Sequence, residues 1–186
     1  MKFILGIIIG LLILPICGAI YFLKGKVPVA TADAPLPYEK KVTGFLLNSR
    51  VARDAPKAAP FAADEPAYVA GAHIYNEHCA VCHGVPQQKN PTAIAAGMFP
   101  KPPQLFKHGV TDDPVGETYW KVANGIRLTG MPGFKSSLSE QQMWQVSLFL
   151  ANADKLPLSA LKVLSTSGDA ANVPTNVPLM MPPVKK

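Results

Sequence analysis

The chain has 186 residues, 48% of them hydrophobic and 16% charged, with 19 prolines and three cysteines. So little charge excludes a wholly disordered chain and a coiled coil, and three cysteines are too few for a disulfide-stapled scaffold. The formal net charge of +6 lies in the flanks: residues 1–63 carry eight Lys/Arg against three Asp/Glu, residues 64–156 seven against eight, and residues 157–186 three against one. With no five-residue basic run, a nucleic-acid partner is not expected.

Phe3 to Leu23 is a 21-residue stretch without a charged side chain. As a helix it spans about 31 Å, the thickness of a bilayer core, and is expected to be a single transmembrane anchor over residues 1–23. The alternative is a cleaved secretory signal. Its apolar region is too long for that, although Ala30-Thr31-Ala32 and Ala32-Asp33-Ala34 offer late small-x-small sites. Bulky Ile16 before Cys17 makes a poor lipoprotein signal, so Cys17 reads as a membrane-buried thiol. Lys2 precedes the stretch and Lys24 and Lys26 follow it, so the positive-inside rule alone does not place the C-terminus outside.

Residues 24–63 hold five prolines (28, 35, 37, 56 and 60) and many alanines, the composition of an extended tether. Within it, Val42, Phe45, Leu46, Leu47 and Val51 alternate with Lys40, Lys41, Arg50 and Arg53. Glu39 to Arg53 therefore reads either as a short amphipathic helix lying on a membrane or partner, or as linker with scattered apolar residues.

Asp64 is a plausible N-cap for the next helix, with Glu65 and Pro66 in its first turn. Gly71, Tyr75 and Cys79 recur every four residues, so a small residue at 71 allows close approach of another helix. Cys79-Ala80-Val81-Cys82-His83 is C-x-x-C-H, the spacing of covalent c-type haem attachment, and Gly84 follows as a helix stop. On a helix end, positions i, i+3 and i+4 share a face. Two thiols can then form thioethers with the haem vinyl groups while His83 turns its imidazole to the iron. A zinc site needs a second pair of ligands at suitable spacing, and no cysteine follows Cys82. A thioredoxin-like redox pair needs a strand–helix context, which the pattern lacks.

Candidates for a second axial ligand are Met98, Met131, Met143, Met180, Met181 and the other histidines. Met131 stands out in Thr129-Gly130-Met131-Pro132-Gly133-Phe134, where glycine and proline impose a loop. Met143 fits an amphipathic helical pattern and Met98 a packing role. His73 and His78 share a helix with His83. His108, before Gly109, is the main rival.

In combination these motifs resemble a class I cytochrome c domain over residues 64–155. Cys79, Cys82 and His83 match its haem-binding motif. Gly71 and Tyr75 resemble its N-terminal helix pair, and Ile126 to Pro132 its methionine-bearing stretch. Asn90-Pro91 through Leu105 resembles its proline-rich loop, although Gln88-Lys89-Asn90-Pro91 departs from the more usual Gly-Asp-Gly-Pro. Ser139 to Ala151 resembles the terminal helix, with Ser139 as N-cap, Leu138 as hydrophobic staple and Phe149 crossing near Gly71.

The resemblance implies an all-α, cytochrome c-like fold around one covalent haem c, with His83 and Met131 on the iron. It also implies that a proline carbonyl accepts from His83 Nδ1, with Pro91 at the matching position and Pro102 and Pro103 as alternatives. Arg127 is either a propionate partner or a solvated arginine. Met98, Phe99, Leu105, Tyr119, Trp120 and Phe134 are expected around the ring. In the family thioethers form on the periplasmic side. That implies a single-pass protein of the bacterial inner membrane with its haem domain outside.

The tail, residues 156–186, holds five prolines and is expected to be extended, although Leu156, Leu158, Leu161, Val163 and Leu164 open it. No catalytic acid–base constellation is read. Glu117 and the Asp112-Asp113 pair fit as helix-start and turn residues. The expected function is a single-electron carrier serving a quinol-oxidising complex, a dehydrogenase or a terminal oxidase. The alternatives are a fixed haem subunit of a larger membrane complex, and a haem sensor or enzyme with an open iron.

Overall fold

The computed structural model describes residues 2–25, 27–108, 111 and 113–165. Asp112, Met180, Met181 and the tail prolines from Pro174 onward lie outside the described residues. Among the described residues the structure is all helical, without strands. The chain divides into two units, residues 1–43 and 44–186.

The first unit is dominated by α1 (Lys2–Lys24), an apolar helix of 23 residues with Pro15 inside it. By length and composition it is the one described helix able to cross a membrane. Its large apolar side chains, Ile7, Leu11 and Leu14 among them, are exposed, which suits a lipid surround rather than a protein core. Beyond it, the Asp33 carboxylate accepts from the Val29 and Ala30 amides at 2.9 Å each, closing a small turn.

Helix α2 (Glu39–Asp54) begins in one unit and ends in the other. Of the two readings of this stretch, the helix is the one observed. Its end is not free tether: Val51 is fully buried in the second unit. Two residues past the helix, the Pro56 carbonyl lies where a side chain on Gly116 would collide with it. The tether expected over residues 24–63 therefore ends well before 63.

The second unit is built on α3 (Glu65–His78), α7 (Val115–Asn124) and α8 (Glu140–Ala151). Asp64 caps α3, accepting from the Ala67 amide at 2.9 Å. Ser139 and Gln142 form a reciprocal capping box at the start of α8. Helix α8 packs on both α3 and α7. At the α3–α8 crossing a Cβ on Gly71 would strike the Gln145 carbonyl and the Phe149 side chain. Only glycine allows the two backbones this close. Tyr75 and Phe149, both fully buried, meet at 5.6 Å between ring centroids, and Phe106 stands edge-on to Tyr75 at 5.4 Å. On the α7–α8 contact Tyr119 stacks on Trp144 at 4.0 Å.

One element departs from expectation. Leu158–Ser165 forms a further helix, α9, packed on α3. It buries Ala160 and Leu164 and is tied down by two bonds. Asn76 donates to the Val163 carbonyl at 2.7 Å, and Ser159 donates to the Glu65 carboxylate at 2.6 Å. The helical core thus continues past residue 155. Leu161 and Leu164 have amphipathic spacing, but Pro157 and the proline-rich sequence beyond mask it.

The crossing at Gly71 can be tested by substitution. Gly71→Ala should destabilise the domain by about 1–3 kcal/mol, because the added methyl meets backbone that cannot yield. Gly97→Ala, in open space at the end of Ala93–Gly97, should stay within about 0.5 kcal/mol. Chemical denaturation of both variants compares them directly.

Candidate functional site

Cys79 closes α3 and opens the single-turn helix α4 (Ala80–His83). Its amide donates to Tyr75 O at 2.8 Å, and its carbonyl accepts from the His83 amide at 2.9 Å. The turn places Cys79, Cys82 and His83 at helical spacing, as the motif requires. All three are partly buried.

A one-turn helix leaves its last carbonyls without partners in the helix. Here they are satisfied from outside. Thr92 Oγ1 donates to Val81 O at 2.6 Å and Gln104 Nε2 to Cys82 O at 2.9 Å. The Tyr75 hydroxyl donates to Gly84 O at 2.6 Å. Gly84 itself has φ of 77°, and a Cβ there would press on the Gln104 side chain. The loop from 85 to 104 is thus stitched to the C-terminal half of the C-x-x-C-H turn. Thr92 also caps the short helix α5 (Ala93–Gly97), accepting from the Ala95 amide at 3.1 Å. Sequence reasoning misses these bonds of Thr92, Gln104 and the Tyr75 hydroxyl. The only signal is their residue type, which is common in loops and cores alike.

His83 Nδ1 lies 2.9 Å from the Pro103 carbonyl. A carbonyl can only accept, so the proton sits on Nδ1 and the Nε2 lone pair is left available. The carbonyl that meets His83 is therefore that of Pro103 and not of Pro91, the position the resemblance favoured. The reason is local. Pro91 is exposed and precedes the Thr92 cap of α5. The chain meets His83 only after α5, next to the Gln104 clamp. Burial holds the His83 imidazole below the ordinary histidine range, opposed by the Pro103 hydrogen bond, so the ring is neutral at pH 7.

Burial, with Cys82 adding to it, pushes the Cys79 thiol up to about 12. Among the described residues there is no strand, so the strand–helix context of a thioredoxin-like redox pair is lacking. Among the described residues no three His, Cys, Asp or Glu side chains group as ligands for a bare metal ion. Two half-buried thiols and a neutral, oriented imidazole on one turn instead fit the donor set of a c-type haem motif.

Met131 sits in a loop, residues 125–134, pinned to the end of α7. Gly125 has φ of 68°, and a Cβ on it would lie 2.5 Å from Gly133 N and 2.8 Å from Met131 O. Met131 O accepts from the Ile126 amide at 3.1 Å, and the Met131 amide donates to Thr129 Oγ1 at 3.1 Å. Phe134 N returns to Val122 O at 3.0 Å. Met131 is half-buried and packs on the same hydrophobic core that Cys79, Ala80, Leu105, Phe106, Tyr119 and Phe134 border.

Met98 lies beside the Met131 loop, and the other described candidates fall elsewhere. Met143 is buried in the core, and the methyl of Met98 lies against Gly130. His73 is exposed, and His78 packs on Phe134 at 5.8 Å. His108 ends α6 (Leu105–His108), and its side chain is outside the described residues. The Arg127 side chain is exposed and has no hydrogen bond or ion pair among the described residues.

Residues 66–150 match the family described as Cytochrome C oxidase, cbb3-type, subunit III. No curated protein and no solved structure matches the chain. The matched segment begins at the second residue of α3 and ends near the close of α8, so it contains the C-x-x-C-H turn, its clamping loop and the Met131 loop. This segment is a c-type cytochrome domain, consistent with class I, and it carries the implication of haem c, iron and electron transport.

Proposed function

We propose that the chain is a membrane-anchored single-electron carrier whose haem is held covalently by Cys79 and Cys82 and ligated by His83 and Met131. The observation that carries the reading is the His83–Pro103 hydrogen bond. It fixes the ring, keeps the proton at Nδ1 and leaves Nε2 free to ligate, the arrangement typical of a metal-bound histidine. Haem c, when bound, supplies an iron that cycles between ferrous and ferric forms. Met131 brings a soft thioether, which favours the ferrous form and raises the potential relative to a second nitrogen. Two protein ligands leave no position for a substrate, so the pair suits transfer rather than catalysis. Leu105, Tyr119 and Phe134 are partly buried against the same core as Cys79 and Met131. Arg127, exposed on the Met131 loop, is free to meet a propionate.

The apolar helix α1 supports a single-pass anchor through residues 3–23. With haem attachment on the outer side, the domain belongs in the periplasm at the bacterial inner membrane. Redox partners in this reading are a quinol-oxidising complex, a dehydrogenase or a terminal oxidase. The description of the matched family favours the oxidase and supports a second reading, a fixed haem subunit of such a complex. Detergent extraction separates the two: a subunit co-purifies at constant stoichiometry, and a carrier does not.

Met131→His should lower the midpoint potential in a potentiometric titration. Met131→Ala should open the iron, so that the ferrous protein binds carbon monoxide. Met98→Ala should do neither. If Met131→Ala leaves both the potential and carbon monoxide binding unchanged, the ligand is another residue. Attachment is checked separately. Cys79→Ser or Cys82→Ser should each retain haem through one thioether on a denaturing gel, and the double variant should lose it.

A further inference from the structure

Helix α2 carries two apolar stripes, and only one of them is used by the protein. Leu47 and Val51, four residues apart, form the inner stripe; Val51 is fully buried and Leu47 half-buried. Val42, Phe45 and Leu46, at i, i+3 and i+4, form another, and they are 55%, 71% and 60% exposed. A helix already seated by its inner stripe needs no second one for folding.

The charges around the outer stripe say what covers it. Lys40, Lys41, Arg50 and Arg53 are all exposed. At about 100° per residue, Lys41 borders the stripe on one side, Arg50 on the other, and Arg53 lies within its angular range about two turns beyond Leu46, while Lys40 falls on the inner side. The acidic groups are already occupied. Asp54 is shared by Arg50 and Arg53, and the Glu39 carboxylate accepts from the Leu36 amide at 2.8 Å. An apolar stripe edged by an excess of cations on long side chains matches an anionic lipid surface, with aliphatic stems lying along the acyl boundary and charged heads at the phosphates. The tether supplies the surface. Only residues 25–38 separate α1 from α2, so α2 cannot lie further than about 50 Å from the end of α1 even with that chain fully extended.

We propose that the outer face of α2, through Val42, Phe45 and Leu46 with Lys41, Arg50 and Arg53, docks on the anionic lipid headgroups beside the membrane anchor. This rests on α1 being the anchor. The haem-binding unit is then attached to the membrane at α2 as well as through α1, instead of swinging on 40 residues of loose linker.

The full-length haem-loaded chain is reconstituted into nanodiscs with and without anionic lipid and spin-labelled. In the holoprotein the native Cys17 is the one free thiol, and its label reports α1 directly. In a Cys17→Ser background, labels are placed through Phe45→Cys, Leu46→Cys and, as an aqueous control, Ser136→Cys. The labels at 45 and 46 should collide several-fold more often with dissolved oxygen than with a water-soluble nickel chelate, with a larger excess when anionic lipid is present. The label at 136 should show the reverse. Lys41→Glu with Arg53→Glu should remove most of the dependence on anionic lipid. Water-like access at 45 and 46 while Cys17 is in lipid overturns the docking and leaves the anchor intact. Shielding from both reagents also overturns it, in favour of a protein or a second copy covering the face. A water-exposed Cys17 overturns the anchor and the docking together.

Discussion

The site depends on how one turn of helix is completed from outside. A four-residue helix cannot satisfy its own terminal carbonyls. In this chain Val81, Cys82 and Gly84 each receive an external donor, and the ring of His83 donates to a fourth partner. The donors come from two directions. Tyr75 reaches up from the buried face of α3, Thr92 and Gln104 close over from the loop, and the Pro103 carbonyl beside them accepts from His83. Removing the Tyr75 hydroxyl leaves the Gly84 carbonyl buried without this partner, at a cost of about 1–3 kcal/mol, whereas the Thr92 and Pro103 bonds are exposed and cost less to lose. The thiols and the imidazole therefore keep their relative positions through backbone contacts and not through the side chains alone.

That arrangement separates what is legible in the sequence from what is not. Features encoded within a few residues read well. The Asp64 cap, the Ser139 cap and the C-x-x-C-H turn each depend on spacings of three or four. Gly71 is also legible, because a small residue in register with Tyr75 and Cys79 marks a helix face where a second backbone comes close. The partner of His83 is not legible. Three prolines are available, and choosing between them requires knowing that α5 intervenes before the chain reaches the ring. A resemblance aligned on Pro91 carries the wrong loop length. The same limit hides Thr92 and Gln104, whose roles exist only once a distant loop has folded back.

The segments with linker and tail composition show a related difficulty. Proline and alanine content describes their average character correctly, but helices α2 and α9 occupy the stretches between prolines. Each buries very little: Val51 in α2, and Ala160 and Leu164 in α9. A short helix supported by one or two buried side chains gives a weak periodic signal, and neighbouring prolines outweigh it.

These two flanks change what counts as the folding unit. The family-matched segment, residues 66–150, stops short of both. On one side it leaves out the Asp64 cap of α3 and the Pro56 carbonyl fitted over Gly116. On the other it leaves out α9, whose departure would strip α3 of an apolar cover and cost the half-buried Asn76 amide its bond to the Val163 carbonyl. A fragment excised at the limits of the match would carry every haem-binding residue and still present a bare, adhesive side to solvent. For expression as a self-standing unit, the cut belongs before Val51 and after Ser165.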